Sequence, residues 1–366
     1  MSEETSTEWH LSVVMTTDQD EMRPTTGVTS SSSRGAAVYF ECFVVVIGVI
    51  GTAANGLILY ALVASKQHKK QMLIVNQNAL DLYSCLFLVI TFGLKLANIQ
   101  LNGSSGYFLC TLILSDNLLV SGSVGSSINL TLIAIDRYLK VCHNAWSKKN
   151  IRKRMIYVAM VFVWISGFVY HMSLVFDTSL VINGVCYPMS KLAAGLYYFL
   201  STYVIVLLIS VFCYGKILMA IRLQARVMAS HNPSGSSTAQ TQLSRIQTSA
   251  IKTMILVCAF YAIAWLPEKM LVLLFDLGLL SLNALIIIGY YASMFLGFLY
   301  ICAKFKVITT SKCLAVAFRR SALRCITLLQ FLYICANPFI YATNFDPVRR
   351  ILKGLILCKE VSEQVI

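Results

Sequence analysis

From residue 36 onward the chain alternates long apolar runs with short polar or charged connections. The runs cover residues 36–64, 72–97, 107–135, 155–176, 192–218, 253–275, 282–303 and 325–342. A helix needs about 20 apolar residues, within a range of about 17–25, to cross a hydrocarbon core, so each run predicts a spanning helix. The first is interrupted only by Glu41 and Asn55 and is followed by Lys66, Lys69 and Lys70. The third closes on Asp136-Arg137-Tyr138, after which Lys140, Lys148, Lys149, Arg152, Lys153 and Arg154 follow without an acid. Short Lys/Arg-rich loops stay on the cytoplasmic side, which puts the N-terminus outside and Arg137 at an inner membrane exit.

Composition agrees. Charged residues make up 13% of the 366, about half the usual share in soluble domains, so most of the chain belongs in lipid. The net charge of +14 does not indicate nucleic acid, because Lys and Arg fall between the apolar runs and serve as topology signals. Most of the twelve Cys lie inside apolar runs, where the thiol acts as a small hydrophobe. Residues 1–35 are polar, Ser/Thr-rich and acidic and predict a disordered extracellular tail.

Several polar residues stand inside the runs. Asp81 lies in the second, where a carboxylate needs a polar cavity or partner. Ser126 is eleven residues before Arg137, about 16 Å deeper and nearly on its face. Trp164 lies in the fourth run, Trp265-Leu266-Pro267 in the sixth and Asn337-Pro338-Phe339-Ile340-Tyr341 in the last. The occurrence of these motifs together with Asn55 and Asp136-Arg137-Tyr138, in this order, resembles the rhodopsin-like G-protein-coupled receptors. The resemblance extends over residues 36–358.

That resemblance implies an all-α seven-helix membrane bundle and a receptor at the plasma membrane, coupled to heterotrimeric G proteins. It implies a switch through Trp265, Pro267, Asn337, Pro338 and Tyr341, with Asp136, Arg137, Tyr138 and the inner tyrosine Tyr214 facing the G protein. It implies a sodium ion, the one cofactor in view, held by Asp81, Ser126 and Asn337. It also implies a disulfide between Cys110 and Cys186, both of which topology places outside. The chain departs from the family pattern in four ways. Cys110 stands two residues further from Arg137 than usual, which predicts a bulged or extended outer end. Val206 replaces a Pro of the fifth helix, so no Pro kink is expected there and the family's pocket-side bulge is left open. Ala264 replaces a Cys. No Asp or Glu occurs in residues 191–267, which leaves Asp136 as the near acidic partner of Arg137.

Eight runs are one too many. Phe298-Leu299-Tyr300-Ile301-Cys302-Ala303 recurs as Phe331-Leu332-Tyr333-Ile334-Cys335-Ala336, directly before Asn337. Removing residues 304–336 restores one continuous seventh helix, and a seven-helix count keeps Arg349, Arg350 and Lys353 inside. The chain therefore divides into the tail (1–35), six helices plus a first copy of the seventh (36–303), a basic insertion (304–324), a second copy with the Asn-Pro motif (325–345), and an amphipathic surface helix with the cytoplasmic tail (346–366). Either copy can fill the seventh place; the need of Asp81 for a polar partner favours the second. Cys358 ends the amphipathic stretch as a palmitoylation site on membrane lipid.

Asn102-Gly103-Ser104 is a glycosylation sequon in an outer loop. Leu118, Leu119, Trp265, Glu268 and Lys269 line the candidate ligand pocket, Asp116 lies at the outer rim, and Lys95 and Lys191 are expected to snorkel at the interface. An extracellular small-molecule or peptide ligand is expected. Three other readings stand beside this one. A solute transporter predicts inverted repeats, which are not found. An enzyme needs clustered catalytic groups, whereas His10, His68, His143, His171 and His231 are scattered. A receptor-like protein silenced by the insertion would keep the motifs without signalling.

Overall fold

The computed structural model describes residues 29–69, 71–175, 180–187, 199–231, 251, 254–267, 269–270, 328–340, 349 and 351. The expectations for residues 1–28, Lys191, Glu268, the first copy of the repeat, the basic insertion, Tyr341 and Cys358 lie outside these residues. Of the surface helix, Arg349 and Ile351 are described; both are helical and Ile351 is buried.

In lipid the backbone must satisfy its own hydrogen bonds, and the apolar runs accordingly form helices. Among the described residues five helices are long and apolar enough to cross a membrane, and Met254–Pro267 and Leu328–Ile340 are shorter apolar helices. The first helix is Thr29–Ala64 and the second Met72–Ala97. The third is Asn117–Cys142, the fourth Lys153–Val175 and the fifth Ile205–His231. Met254–Pro267 takes the sixth place and Leu328–Ile340 the seventh. The first helix begins inside the segment expected to be a tail, where Thr29 and the serines after it are residue types that favour a helix start. The fifth runs past the end of its apolar run at residue 218 to His231, through Leu-Gln-Ala-Arg-Val-Met-Ala, mostly strong helix formers.

The third helix is central and packs against the second, fourth and fifth. Its contact with the fourth is close because both sides are glycine. A Cβ on Gly167 would stand 2.5 Å from the Ser121 carbonyl oxygen and 3.0 Å from the Gly125 nitrogen. Small residues let membrane helices approach in this way. The fourth helix turns Tyr157, Val158, Val161, Phe162 and Val169 outward, as lipid contact requires.

The outer end of the third span is not one continuous helix. A short helix, Gly103–Leu109, leads into a π turn, Cys110–Leu114. The chain then breaks at Ser115 and Asp116, and Asp116 takes a left-handed conformation with φ 58°. Asp is among the few residues that enter this region readily. The Ser115 hydroxyl donates to the Cys110 carbonyl at 2.8 Å, Thr91 donates to Ile113 at 3.3 Å, and the Asn117 amide donates to the Thr111 carbonyl. These side chains pair carbonyls in the wide turn, which is how the two extra residues are absorbed.

Outside the bundle β1 (Leu180–Ile182) pairs antiparallel with β2 (Val185–Tyr187), with Val181 opposite Cys186. The loop is Asn183-Gly184, both at positive φ (52° and 77°), the two-residue turn that matches strand twist. Cys186 on β2 is bonded to Cys110, with Cα atoms 5.3 Å apart. The backbone amide of Leu101 donates to the Gly184 carbonyl at 3.0 Å, joining the hairpin to the loop after the second helix.

The fifth helix carries a bulge although its Pro is absent. Phe199–Val204 form a π turn ahead of Ile205, while Val206 is buried in the bundle. Two reciprocal hydrogen bonds tie this turn to the sixth helix. The Tyr261 hydroxyl donates to the Thr202 carbonyl at 2.5 Å, and the Tyr203 hydroxyl donates to the Ala262 carbonyl at 2.9 Å. The bulge here is paired with one side-chain donor from the neighbouring helix, Tyr261, instead of a missing amide.

Two outcomes check this packing. Gly167→Ala drives a methyl into backbone and should destabilise the purified protein by about 1–3 kcal/mol, whereas Gly56→Ala, with nothing within 4 Å of its Cβ, should leave the melting temperature nearly unchanged. Tyr203→Phe and Tyr261→Phe should each cost about 0.5–1.5 kcal/mol in thermal unfolding. Equal melting temperatures for wild type and the double variant would show that the two hydrogen bonds do not hold the fifth helix to the sixth.

Candidate functional site

Asp81 is fully buried between the second, third and seventh helices. Its Oδ1 accepts the Ser126 hydroxyl at 2.9 Å and the Gln77 amide nitrogen at 3.3 Å, and its Oδ2 accepts the Asn337 amide at 2.8 Å. The Gln77 Nε2 also donates to Ser126 Oγ. The network continues away from Asp81. Asn129 donates to Gln77 Oε1 at 2.8 Å and to the Leu73 carbonyl at 2.9 Å, Asn76 donates to Asn129 Oδ1 at 3.0 Å, and the Trp164 indole donates to Asn76 Oδ1 at 3.0 Å. An unpaired buried polar group costs far more than a satisfied one, so this chain of donors is what makes a carboxylate tolerable at membrane depth.

The family resemblance implied Asp81, Ser126 and Asn337 as one site, and the structure brings them together with Gln77, Asn76 and Asn129, which sequence reasoning missed. The signal was the run Asn76-Gln77-Asn78, three amides in succession inside an apolar span. The donor set bears on the implied sodium. A cation is held by oxygen lone pairs, yet the groups facing Asp81 are two amide N–H donors and one hydroxyl. Among the oxygens of Asp81, Gln77, Ser126 and Asn337, the Asn337 Oδ1 alone lacks a hydrogen-bond partner among the described residues. These residues do not fit a cation cage as they stand.

Beside this network the first helix contributes Asn55, whose amide donates to the Gly51 carbonyl at 3.0 Å and reaches Cys85 Sγ at 3.6 Å. Cys85 Sγ lies 3.5 Å from Cys335 Sγ of the seventh helix. Further out, the seventh helix packs through Phe331 against Phe92, centroids 5.4 Å apart, and through Tyr333 against Tyr261 and Trp265 at 5.5 and 6.5 Å. Trp265 is buried, and the Lys269 ammonium lies 5.0 Å from its ring centroid. Lys269 is itself buried at 2% exposure. Leu119 is buried and Leu118 half-buried on the third helix. Pro267 closes the continuous described stretch of the sixth helix, with Lys269 and Met270 helical beyond it, and Pro338 is buried in the seventh.

At the rim, Lys95 does not snorkel. Its ammonium pairs with Asp116 at 3.0 Å and lies 4.7 Å from the Phe92 centroid. Each was read singly in the sequence, which is why their pairing was missed. Asn102 is exposed on the same side.

At the cytoplasmic end the structure corrects the pairing of the triplet. Asp136 binds Lys140, one turn on, at 2.7 Å. The Arg137 guanidinium instead donates to the Gln71 side-chain oxygen, and its Nε has no hydrogen-bond partner among the described residues. Spacing of four along a helix favours the Asp136–Lys140 pair. Tyr138 exchanges a hydrogen bond with His143 Nε2 at 3.0 Å and packs against Phe212 of the fifth helix, centroids 5.8 Å apart. Tyr214, on the same helix, is buried.

Known proteins agree with this architecture. Mouse G-protein coupled receptor 15 is 27% identical over 249 residues, 65% of this chain and 64% of that protein. Rhodopsin of the octopus Enteroctopus dofleini is 26% identical over 268 residues, 66% of this chain and 56% of that protein. The chain thus spans less than two thirds of the length of these curated relatives. The crystal structure of squid rhodopsin superposes with a TM-score of 0.65 at 16% identity, covering 90% of this chain and 89% of the other, which shows a shared seven-helix fold. The family description "7 transmembrane receptor (rhodopsin family)" matches residues 54–341. This chain is a multi-pass membrane protein that belongs to the rhodopsin family of seven-transmembrane receptors.

Proposed function

We propose that this protein is a plasma-membrane receptor that passes the binding of an extracellular small molecule or peptide to a heterotrimeric G protein, and that it has no catalytic role. The observation that carries the reading is the state of Arg137. It sits at the inner mouth of the bundle on a neutral acceptor, Gln71, while the neighbouring acid is engaged by Lys140. A guanidinium held by an amide is released more readily than one in a buried ion pair, whose loss costs about 3–5 kcal/mol. On this reading a ligand acts by binding better to the packing in which Arg137 has left Gln71.

The route from outside to inside runs through groups already in contact. A ligand between Leu118, Leu119 and Lys269 would press on Trp265, and the ring contacts with Tyr261 and Tyr333 carry that displacement to the sixth and seventh helices. Asn337, one turn from Tyr333, is tied to Asp81. Glu268 and Tyr341 complete the proposed pocket and switch. Asn102 would carry the glycan and Cys358 the lipid.

A second reading, a receptor-like protein silenced by its insertion, is favoured by the repeat. The hexapeptide before Asn337 repeats the one before Lys304, a seven-helix count has room for one copy, and Asn337 of the second copy meets Asp81. Nucleotide exchange on G protein in membranes of cells expressing the full chain, the chain lacking residues 304–336, and Arg137→Ala in both separates the two. The deletion puts Phe298 to Ala303 directly before Asn337 and should raise surface expression and basal exchange above mock-transfected cells. Equal expression and signalling of the two forms would show that the insertion is tolerated. Gln71→Glu gives Arg137 a carboxylate partner and should lower the basal rate. An unchanged rate at equal expression would show that Gln71 does not restrain Arg137.

A further inference from the structure

We infer that the Gln77 side-chain amide takes the place of a cation at Asp81, so that this receptor binds no sodium there. The argument starts from orientation. Gln77 is fully buried, and its two ends face different partners. Its Oε1 accepts from Asn129 Nδ2 at 2.8 Å and its Nε2 faces Asp81 Oδ1 at 3.3 Å and Ser126 Oγ. Reversing the amide would set oxygen against carboxylate and nitrogen against nitrogen, so the network fixes which end points at Asp81. Asn129 is itself held by Leu73 and Asn76, and Asn76 by Trp164. The donor is locked from three helices.

Its position is the one a cation would need. A sodium ion at this carboxylate would draw on Asp81 Oδ1 and the Ser126 oxygen, the two atoms that Gln77 Nε2 engages. The amide carries partial positive charge on its hydrogens, is attached to the same helix as Asp81 one turn away, and cannot diffuse off. A cation could enter only by displacing it, which strands Gln77 Oε1 and Nε2 in a site with no exposure to solvent. The positively polarised partner of Asp81 Oδ1 is therefore part of the chain itself and independent of salt, while Asn337 ties Oδ2 to the seventh helix.

The test needs no ligand and no G protein. Thermal unfolding of the purified full chain is followed in sodium, potassium or choline chloride at equal ionic strength. The wild type should melt at the same temperature in all three. Gln77→Met keeps the length of the side chain but donates nothing, and Gln77→Leu shortens it; each should gain a rise of about 2–4 °C that is specific to sodium and disappears in the Gln77→Met/Asp81→Asn double variant. A sodium-specific rise in the wild type that Asp81→Asn abolishes would overturn the inference. So would folded Gln77→Met with no response to sodium. If neither Gln77 variant folds, the wild type decides alone: a flat profile supports the inference and a sodium-specific rise refutes it.

Discussion

A carboxylate in the middle of a bilayer is the constraint around which this bundle is arranged. Asp81 is wholly removed from solvent, and three donors on three side chains meet its two oxygens. Each donor comes with a helix: Gln77 from the second, Ser126 from the third and Asn337 from the seventh. The cost of leaving any of them unpaired in lipid makes their mutual register hard to alter. The same constraint chooses between the two copies of the repeat. Both contain Phe-Leu-Tyr-Ile-Cys-Ala, and in the second Phe331, Tyr333 and Cys335 meet Phe92, Tyr261 and Cys85. Only the second copy is followed by an Asn; the first is followed by Lys304. The helix at the seventh place is Leu328–Ile340, with Asn337 on Asp81.

A second constraint, that backbone groups inside lipid must find partners, explains the irregular stretches. The two π turns occur where a neighbour supplies a hydroxyl or an amide. Ser115, Asn117 and Thr91 serve carbonyls of the outer turn, and Tyr261 serves Thr202 in the fifth helix. In both places the departure from α-helix is coupled to a contact between elements, the second helix with the outer turn and the fifth helix with the sixth.

What the sequence disclosed follows from how each signal is encoded. Spans and sidedness are written in long stretches of composition, so the order of helices was readable from the apolar runs and the Lys and Arg after them. That Asp81 needs polar partners was readable because a lone carboxylate stands in an apolar run; that Ser126 and Asn337 are among them came from the family resemblance. The bulge of the fifth helix is not legible, because no Pro marks it at Val206 and the donor that meets its Thr202 carbonyl is Tyr261, more than fifty residues away. The partner of Arg137 was sought among acids, whereas the fold presents Gln71 from a loop. Gln77 was hidden by similar reasoning: attention to the charge passed over the neutral amide one turn before it. The Asn183-Gly184 turn, by contrast, was a local signal that had been available.

The central claim is that the Asp81–Asn337 contact seats the second copy of the seventh helix in the bundle. A reciprocal exchange tests it most directly. Asp81→Asn and Asn337→Asp are made singly and together in the full chain, and folded receptor at the cell surface is counted. Each single change leaves two amides or two carboxyls facing each other and should lower the yield; the double change restores an amide facing a carboxylate and should recover much of it, a non-additive result expected of residues in contact. A double variant no better than the worse single one would contradict the account, since it would mean that Asn337 is not the group that satisfies Asp81.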